Sequence, residues 1–270
     1  LRTVKHQKNT GETMNNIAET AIKLFGDNVP CRCGGAHQIC LNCEVCLAGA
    51  SDEIYNPEAG IASIIDATIL KATASRADVT ELCSMANEHK TASVCINSHF
   101  IPLIISQLKA PVKSCTVINF PLGASSSEVI AAETKAVLAA GVEEVDMVQN
   151  LSALFSGDYK TALASINGAA KLCLAKGSLL KVILETCYLN EEQIIISCLI
   201  AKKAGAHFVK TSTGFGTAGA TAENIALMRS VVGLKLGVKA SGGIRNREQA
   251  LAMVAAGANR IGASSVSALL

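Results

Sequence analysis

The chain has 270 residues, 24 Lys+Arg against 22 Asp+Glu and a formal charge of +2, which is length enough for one large α/β domain or two smaller ones. With 3% aromatic residues, no Trp and no basic run, it offers neither a stacking platform nor an electrostatic footprint for nucleic acid. It contains no apolar stretch long enough to span a membrane, and residues 1–7 lack a signal-peptide core, so the expectation is a soluble cytoplasmic protein without membrane association.

Residues 1–60 differ in kind from the remainder. Asn15-Asn16 followed by Ile17, Ala18, Ala21, Ile22, Leu24 and Phe25 predicts a short amphipathic helix, stopped by Gly26 and Pro30. Five of the eleven cysteines then fall within 16 residues: Cys31, Cys33, Cys40, Cys43 and Cys46. This C-x-C plus C-x2-C-x2-C spacing brings thiolates close enough to share a zinc ion or an iron–sulfur cluster, with His37 as a spare donor, although it matches no standard ligand pattern. A reduced cysteine-rich tether is the alternative. The other six cysteines are scattered singly through apolar surroundings and read as small buried hydrophobes.

From Ile61 onward, short apolar runs alternate with segments of helical period. The runs are Ala62–Asp66, Ser93–Asn97, Ser114–Asn119, Glu144–Val148, Leu179–Glu185, His207–Lys210, Lys235–Ala240 and Arg260–Gly262. Between them stand helix-start signals at Ser75, at Ser125 with Glu128, and at Asn190, Thr221 and Asn246. Gly141, Gly205 and Gly257 fall where helices should end. Eight strand-helix units over residues 61–270 predict an α/β fold, a (β/α)8 TIM barrel carrying an N-terminal cysteine-rich extension, with the active site at the carboxyl ends of the strands. An open doubly wound sheet has the same periodicity, but its usual G-x-G-x-x-G turn is missing.

Two of the runs end in a lysine followed by small residues. Lys210 precedes Thr211-Ser212-Thr213-Gly214, and Lys239 precedes Ala240-Ser241-Gly242-Gly243. They lie 239 − 210 = 29 positions apart, about one strand-helix repeat, so consecutive parallel strands place them side by side. Crowded, half-buried ammonium groups repel, which favours a neutral amine able to attack a carbonyl. Strand alternation sends Asp146 to the same face as Val148, and an inward carboxylate needs cations such as Lys181, Lys210 and Lys239. Asp66, Thr68, Asn97, Asn119 and Glu185 fall at other strand ends. The loops Ser241–Arg245 and Gly262-Ala263-Ser264-Ser265, each expected to lead into a helix N-terminus, form a candidate phosphate cradle. Aldol cleavage, transaldol transfer and Schiff-base dehydration all fit such a set, none requiring a metal or organic cofactor. An internal structural ion-pair network is the competing reading.

Five segments in order, Glu144–Val148, Leu180–Cys187, Phe208–Gly214, Gly237–Arg245 and Gly262–Ser265, closely resemble the deoxyribose-phosphate aldolase family. The resemblance implies a lyase that reversibly cleaves 2-deoxy-D-ribose 5-phosphate to D-glyceraldehyde 3-phosphate and acetaldehyde through a lysine Schiff base, with no catalytic cofactor. It implies Lys210 as the Schiff-base lysine, Lys239 as its activating neighbour and Asp146 as the carboxylate of the proton relay. Asp66, Thr68, Cys95 and Lys181 would border the substrate, while Gly214, Gly242, Gly243, Gly262, Ser264 and Ser265 would hold its phosphate. The family's first strand usually ends in Asp-His-Thr, where this chain has Asp66-Ala67-Thr68. A homo-oligomer is expected, and for residues 1–60 a protein partner. The rival readings are a metal-binding or scaffold protein on a retired barrel, and an aldolase for another phosphorylated sugar.

Overall fold

The computed structural model describes residues 60–270 and Leu24. The cysteine cluster and the remainder of the expected N-terminal helix lie outside the described residues; Leu24 itself is helical, partly buried and packed against the main hydrophobic core.

Eight parallel strands close into a barrel in sequence order, each hydrogen-bonded to the next and β8 to β1. They are β1 (Ile65–Ile69), β2 (Ser93–Ile96), β3 (Lys113–Ile118), β4 (Glu144–Val148), β5 (Leu179–Ile183), β6 (Phe208–Lys210), β7 (Gly237–Ser241) and β8 (Arg260–Ala263). Eight α-helices accompany them among the described residues: α1 (Arg76–His89), α2 (Ile101–Gln107), α3 (Ser127–Ala139), α4 (Leu151–Phe155), α5 (Tyr159–Ala175), α6 (Glu191–Ala204), α7 (Ala222–Val232) and α8 (Arg247–Ala255). None is long and apolar enough to cross a membrane.

Alternation along the strands sorts the side chains into two cores. Val94, Ile96, Val145, Met147, Val182, Val209, Val238 and Ile261 point outward and pack with helix residues such as Ile104, Ile130, Ile166, Ile195 and Met228. Each such side chain taken fully out of water contributes roughly 1.5–3 kcal/mol, so this outer layer carries the fold. The inward set is mostly polar; its apolar members include Val148, Ile183 and a small separate cluster of Leu70, Cys95, Cys115 and Val117.

The expected caps fix the helix starts. Ser75 with Asp78 and Asn190 with Gln193 form reciprocal capping boxes, while Thr221 and Asn246 accept from Asn224 and Gln249. Gly205 ends α6 at φ 89°, a left-handed conformation that a side chain would resist.

Three local expectations shift. The cap of α3 is Ser126 rather than Ser125, whose N–H is already bound by the Asn119 side chain at 3.0 Å. The first strand begins at Ile65 rather than Ala62, because Ser63 folds back onto the Gly60 carbonyl in a 3-10 turn spanning Ile61–Ile64. Among the described residues no helix follows β8: the fully buried Val266 and Leu269 join the outer hydrophobic core, closed by a Leu269 N–H bond to the Val266 carbonyl at 2.9 Å.

Candidate active site

The inward positions of four successive strands meet at one buried carboxylate. Asp146 on β4 accepts from Lys181 Nζ at Oδ1 and from both Lys210 Nζ and Lys239 Nζ at Oδ2, each at 2.8 Å. Lys210 on β6 and Lys239 on β7 are direct register partners, and Lys181 on β5 pairs in register with Asp146 itself. Strand register alone thus delivers three amines to one acceptor.

The amines are not equivalent. Lys181 also meets Glu144 at 2.6 Å and Asp66 at 3.4 Å, and Lys239 also contacts Asp66. Lys210 has Asp146 as its carboxylate partner. Asp66 Oδ2 makes these contacts by charge rather than by aligned hydrogen bonds, while its Oδ1 accepts from Arg260 at 2.7 Å. Arg260 also spans to Glu144 at 3.2 Å and lies 5.3 Å from the centre of the Phe208 ring.

Burial opposes charge throughout this cluster, yet the pairing outweighs it. Desolvation would raise the Asp146 carboxyl, but Lys181, Lys210 and Lys239 hold it well below the usual carboxylate range. Asp66 is likewise held low against its burial, chiefly by Arg260 and then by Lys181 and Lys239. Burial alone would neutralise Lys181 and Lys239, but Asp146 and Asp66 push both upward, so these two stay charged. Cys95 and Cys115 share the same interior. A hydrogen bond with Cys115 draws the Cys95 thiol below its ordinary value, whereas burial drives Cys115 well above.

The loops after β6, β7 and β8 lie side by side at the mouth. Ala220 N–H donates to the Gly242 carbonyl at 3.0 Å, and Ser241 stands in register with Gly262. Gly214 and Gly243 are exposed at φ 89° and 78°, and Ser264 and Ser265 are exposed beyond β8. Gly262 is required for a different reason: a Cβ there would stand 3.2 Å from Lys239 Cε and 2.9 Å from Ser241 Cβ, in the path of the lysine stem. Glu185, left-handed at φ 56°, turns its carboxylate onto the Thr213 N–H at 3.1 Å and onto the Thr213 hydroxyl.

Among the residues that sequence singled out, Lys210, Lys239, Asp146, Lys181, Asp66 and Cys95 converge inside the barrel, all but fully buried. Thr68 is half-buried above them, its hydroxyl on the Asp66 carbonyl at 2.8 Å. Asn97 and Asn119 are spent on backbone carbonyls of Leu70 and Val148. Three members were missed. Glu144 shares the inward parity of Asp146, and Arg260 opens the last strand, so both were within reach of the alternation argument; Cys115 had been grouped with the apolar cysteines. A hollow of about 540 Å³, lined by residues including Asn119, Leu122, Val129 and Glu133, has no amine in its lining.

A closed parallel barrel that draws its inward lysines onto a single carboxylate has the build of a class I aldolase, an enzyme whose chemistry runs through a lysine amine. Residues 61–270 match the model of the DeoC/LacD family of aldolases. Among curated relatives, the deoxyribose-phosphate aldolase of Thermococcus gammatolerans is 51% identical over 208 residues, covering 76% of this chain and 92% of that protein. That of Bacillus cereus is 53% identical over 211 residues, covering 78% and 94%. Among solved structures, the tetrameric deoxyribose phosphate aldolase from Aeropyrum pernix superposes with a TM-score of 0.71 at 29% identity, covering 94% of this chain and 95% of that one. The chain belongs to the DeoC/LacD family of aldolases.

Proposed function

We propose that this aldolase reversibly cleaves 2-deoxy-D-ribose 5-phosphate to D-glyceraldehyde 3-phosphate and acetaldehyde through an imine on Lys210. The observation that carries the reading is the sharing of Asp146 Oδ2 by Lys210 and Lys239. Lys239 is fixed by two carboxylates and Lys181 by three, whereas Lys210 is paired with one. Lys210 is therefore the amine that reacts.

In the open-chain sugar, the neutral Lys210 amine attacks C1 to give a carbinolamine, which loses water to leave a protonated imine. The imine draws the C2–C3 electron pair as that bond breaks. Asp146, backed by Lys239, relays away the proton from the C3 hydroxyl, and glyceraldehyde 3-phosphate departs. The remaining enamine takes a proton at C2, and water releases acetaldehyde and the amine. The electron sink is the imine itself, so the cycle uses no metal or organic cofactor. Gly214, Gly242, Gly243, Gly262, Ser264 and Ser265 hold the phosphate with backbone N–H groups and hydroxyls, an assignment supported by the adjacency of their loops and by the N-terminus of α8 beyond Gly243. Thr68 and Cys95 border the reacting carbons, and Asp66 and Lys181 act beneath them as fixed counter-ions.

Borohydride reduction in the presence of the sugar phosphate tests this directly. The expected result is a mass addition on the peptide containing Lys210, abolished in Lys210→Met. No adduct would return the retired-scaffold reading, and an adduct formed faster with a different sugar phosphate would change the substrate.

The same proposal divides the chain into an extension, 1–60, and a catalytic barrel, 61–270, working in the cytoplasm as a homo-oligomer. Removing residues 1–50 should leave trapping at Lys210 intact while abolishing co-purification of any protein held by the extension. Metal analysis of the full chain and the truncated one decides whether Cys31, Cys33, Cys40, Cys43 and Cys46 hold zinc or an iron–sulfur cluster.

A further inference from the structure

We propose that Cys95, Cys115 and Asp146 form a binding site for a thiophilic divalent cation of the zinc and cadmium type, and that filling it shuts down the catalytic centre.

Cys95 on β2 and Cys115 on β3 are register partners, both inward and both fully buried. Their Sγ atoms and a carboxylate oxygen of Asp146 all lie within 4.8 Å of one another. Cys115 Sγ stands 3.4 Å from Asp146 Oδ1. Two ligands on a tetrahedral zinc, one sulfur at ~2.3 Å and one oxygen at ~2.0 Å, stand about 3.5 Å apart. That edge of the polyhedron therefore already has its length, and a χ1 adjustment of Cys95 supplies the third vertex.

Charge favours the exchange. An incoming divalent cation releases the two thiol protons, so the total charge of the interior does not change although three lysines surround Asp146. Thiolate sulfur then selects zinc or cadmium over magnesium or calcium. Lys181, whose Nζ lies 3.3 Å from Cys115 Sγ, keeps Glu144 at 2.6 Å and Asp66 at 3.4 Å as partners when it yields Oδ1. Asp146, bonded to the metal, no longer serves Lys210 and Lys239 as a free base. The cysteines belong to a packed cluster with Leu70 and Val117, and none of the steps assigned to Lys210 requires Cys115.

The test uses the reduced, metal-free full chain titrated with cadmium chloride, followed by the thiolate-to-cadmium charge-transfer absorption and, in parallel, by turnover. Because Cys31–Cys46 can also take cadmium, the comparison is among three proteins: the unaltered chain, Cys115→Ala, and a chain with those five N-terminal cysteines changed to serine. The five-serine chain should keep one equivalent of strong cadmium binding and full inhibition reversed by chelator. Cys115→Ala should lose that equivalent, with the inhibiting cadmium concentration raised by roughly 10- to 100-fold. Cys95→Ala should lose the same equivalent, and serves as the binding test if Cys115→Ala does not unfold cooperatively. Equal absorption and equal inhibition in the unaltered and Cys115→Ala chains would overturn the proposal. The absorption arm reads the site whichever sugar the enzyme cleaves.

Discussion

Lys210 and Lys239 face each other across β6 and β7 and donate to the same oxygen, Oδ2 of Asp146, at 2.8 Å each. One carboxylate oxygen cannot neutralise two ammonium groups, so the pair is stable only if one amine is held elsewhere or gives up its proton. Asp66 does the holding for Lys239. The difference in pairing between two chemically identical side chains thus comes from β1, a strand that carries neither of them.

Replacing Asp146 with Asn should damage the fold and the chemistry together. The substitution leaves Lys181, Lys210 and Lys239 buried around a neutral amide. Breaking a buried pair from one side costs roughly 3–5 kcal/mol, and losing a proton-transfer group costs about 10²- to 10⁴-fold in rate. Urea unfolding and single-turnover kinetics read the two separately. Unchanged stability would mean that the ion cluster contributes nothing to the fold.

Asp66 sets an acid limit on stability. Its burial raises its pKa, but Arg260, Lys181 and Lys239 outweigh that and keep it low, so the folded value lies below the unfolded one. A depressed carboxylate contributes stability that is fully present above the unfolded value of about 3.9 and is lost as pH falls through the folded value. Arg260→Met removes the strongest opposing charge, so the acid limb of the urea midpoint should move to higher pH while the midpoint also falls near neutrality. Lys239 is raised, so its contribution is complete below about 10.4 and is lost only on the alkaline side, as pH climbs through its folded value.

Gly262→Ala should act on Lys239 without touching a charge. The added methyl meets Lys239 Cε at 3.2 Å and Ser241 Cβ at 2.9 Å. Overpacking of this kind costs about 1–3 kcal/mol, and here the lysine stem is the part able to move. The expected outcome is a fall in kcat of roughly 10-fold or more with imine trapping at Lys210 retained but slowed. Trapping at the unaltered rate would show that Lys239 tolerates displacement.

Glu185→Gln should separate binding from chemistry. Glu185 orients the Thr213 N–H and hydroxyl beside Gly214. KM for the phosphorylated substrate should rise about 10-fold, consistent with loss of one charge-assisted bond, while kcat changes little. The same variant assayed on unphosphorylated 2-deoxyribose should match the unaltered enzyme, and an equal loss on both sugars would place Glu185 with the reacting atoms.

The barrel was readable because its signals are local: alternation in each strand, caps at Ser75, Asn190, Thr221 and Asn246, and a glycine at Gly205. The lysine pair was readable because a single repeat length separates its members. What sequence left open was pairing across the closure. Nothing near Arg260 announces that its partners are Asp66 and Glu144, 194 and 116 positions away. Cys115 stands singly in the chain, between Ser114 and Thr116, with nothing beside it to mark a site, whereas its neighbours in space are Asp146 and Lys181. Ser125 looked like a cap by spacing alone, but the next residue, Ser126, takes the role while the Ser125 N–H is bound by Asn119, six positions earlier.

The stitch between Arg260 and Asp66 ties the last strand of the ring to the first. Synthesis delivers β1 early and β8 last, and until β8 docks the anchor that fixes Lys239 has no guanidinium behind it. A partly made chain therefore holds its lysines before the counter-charges that surround them are complete.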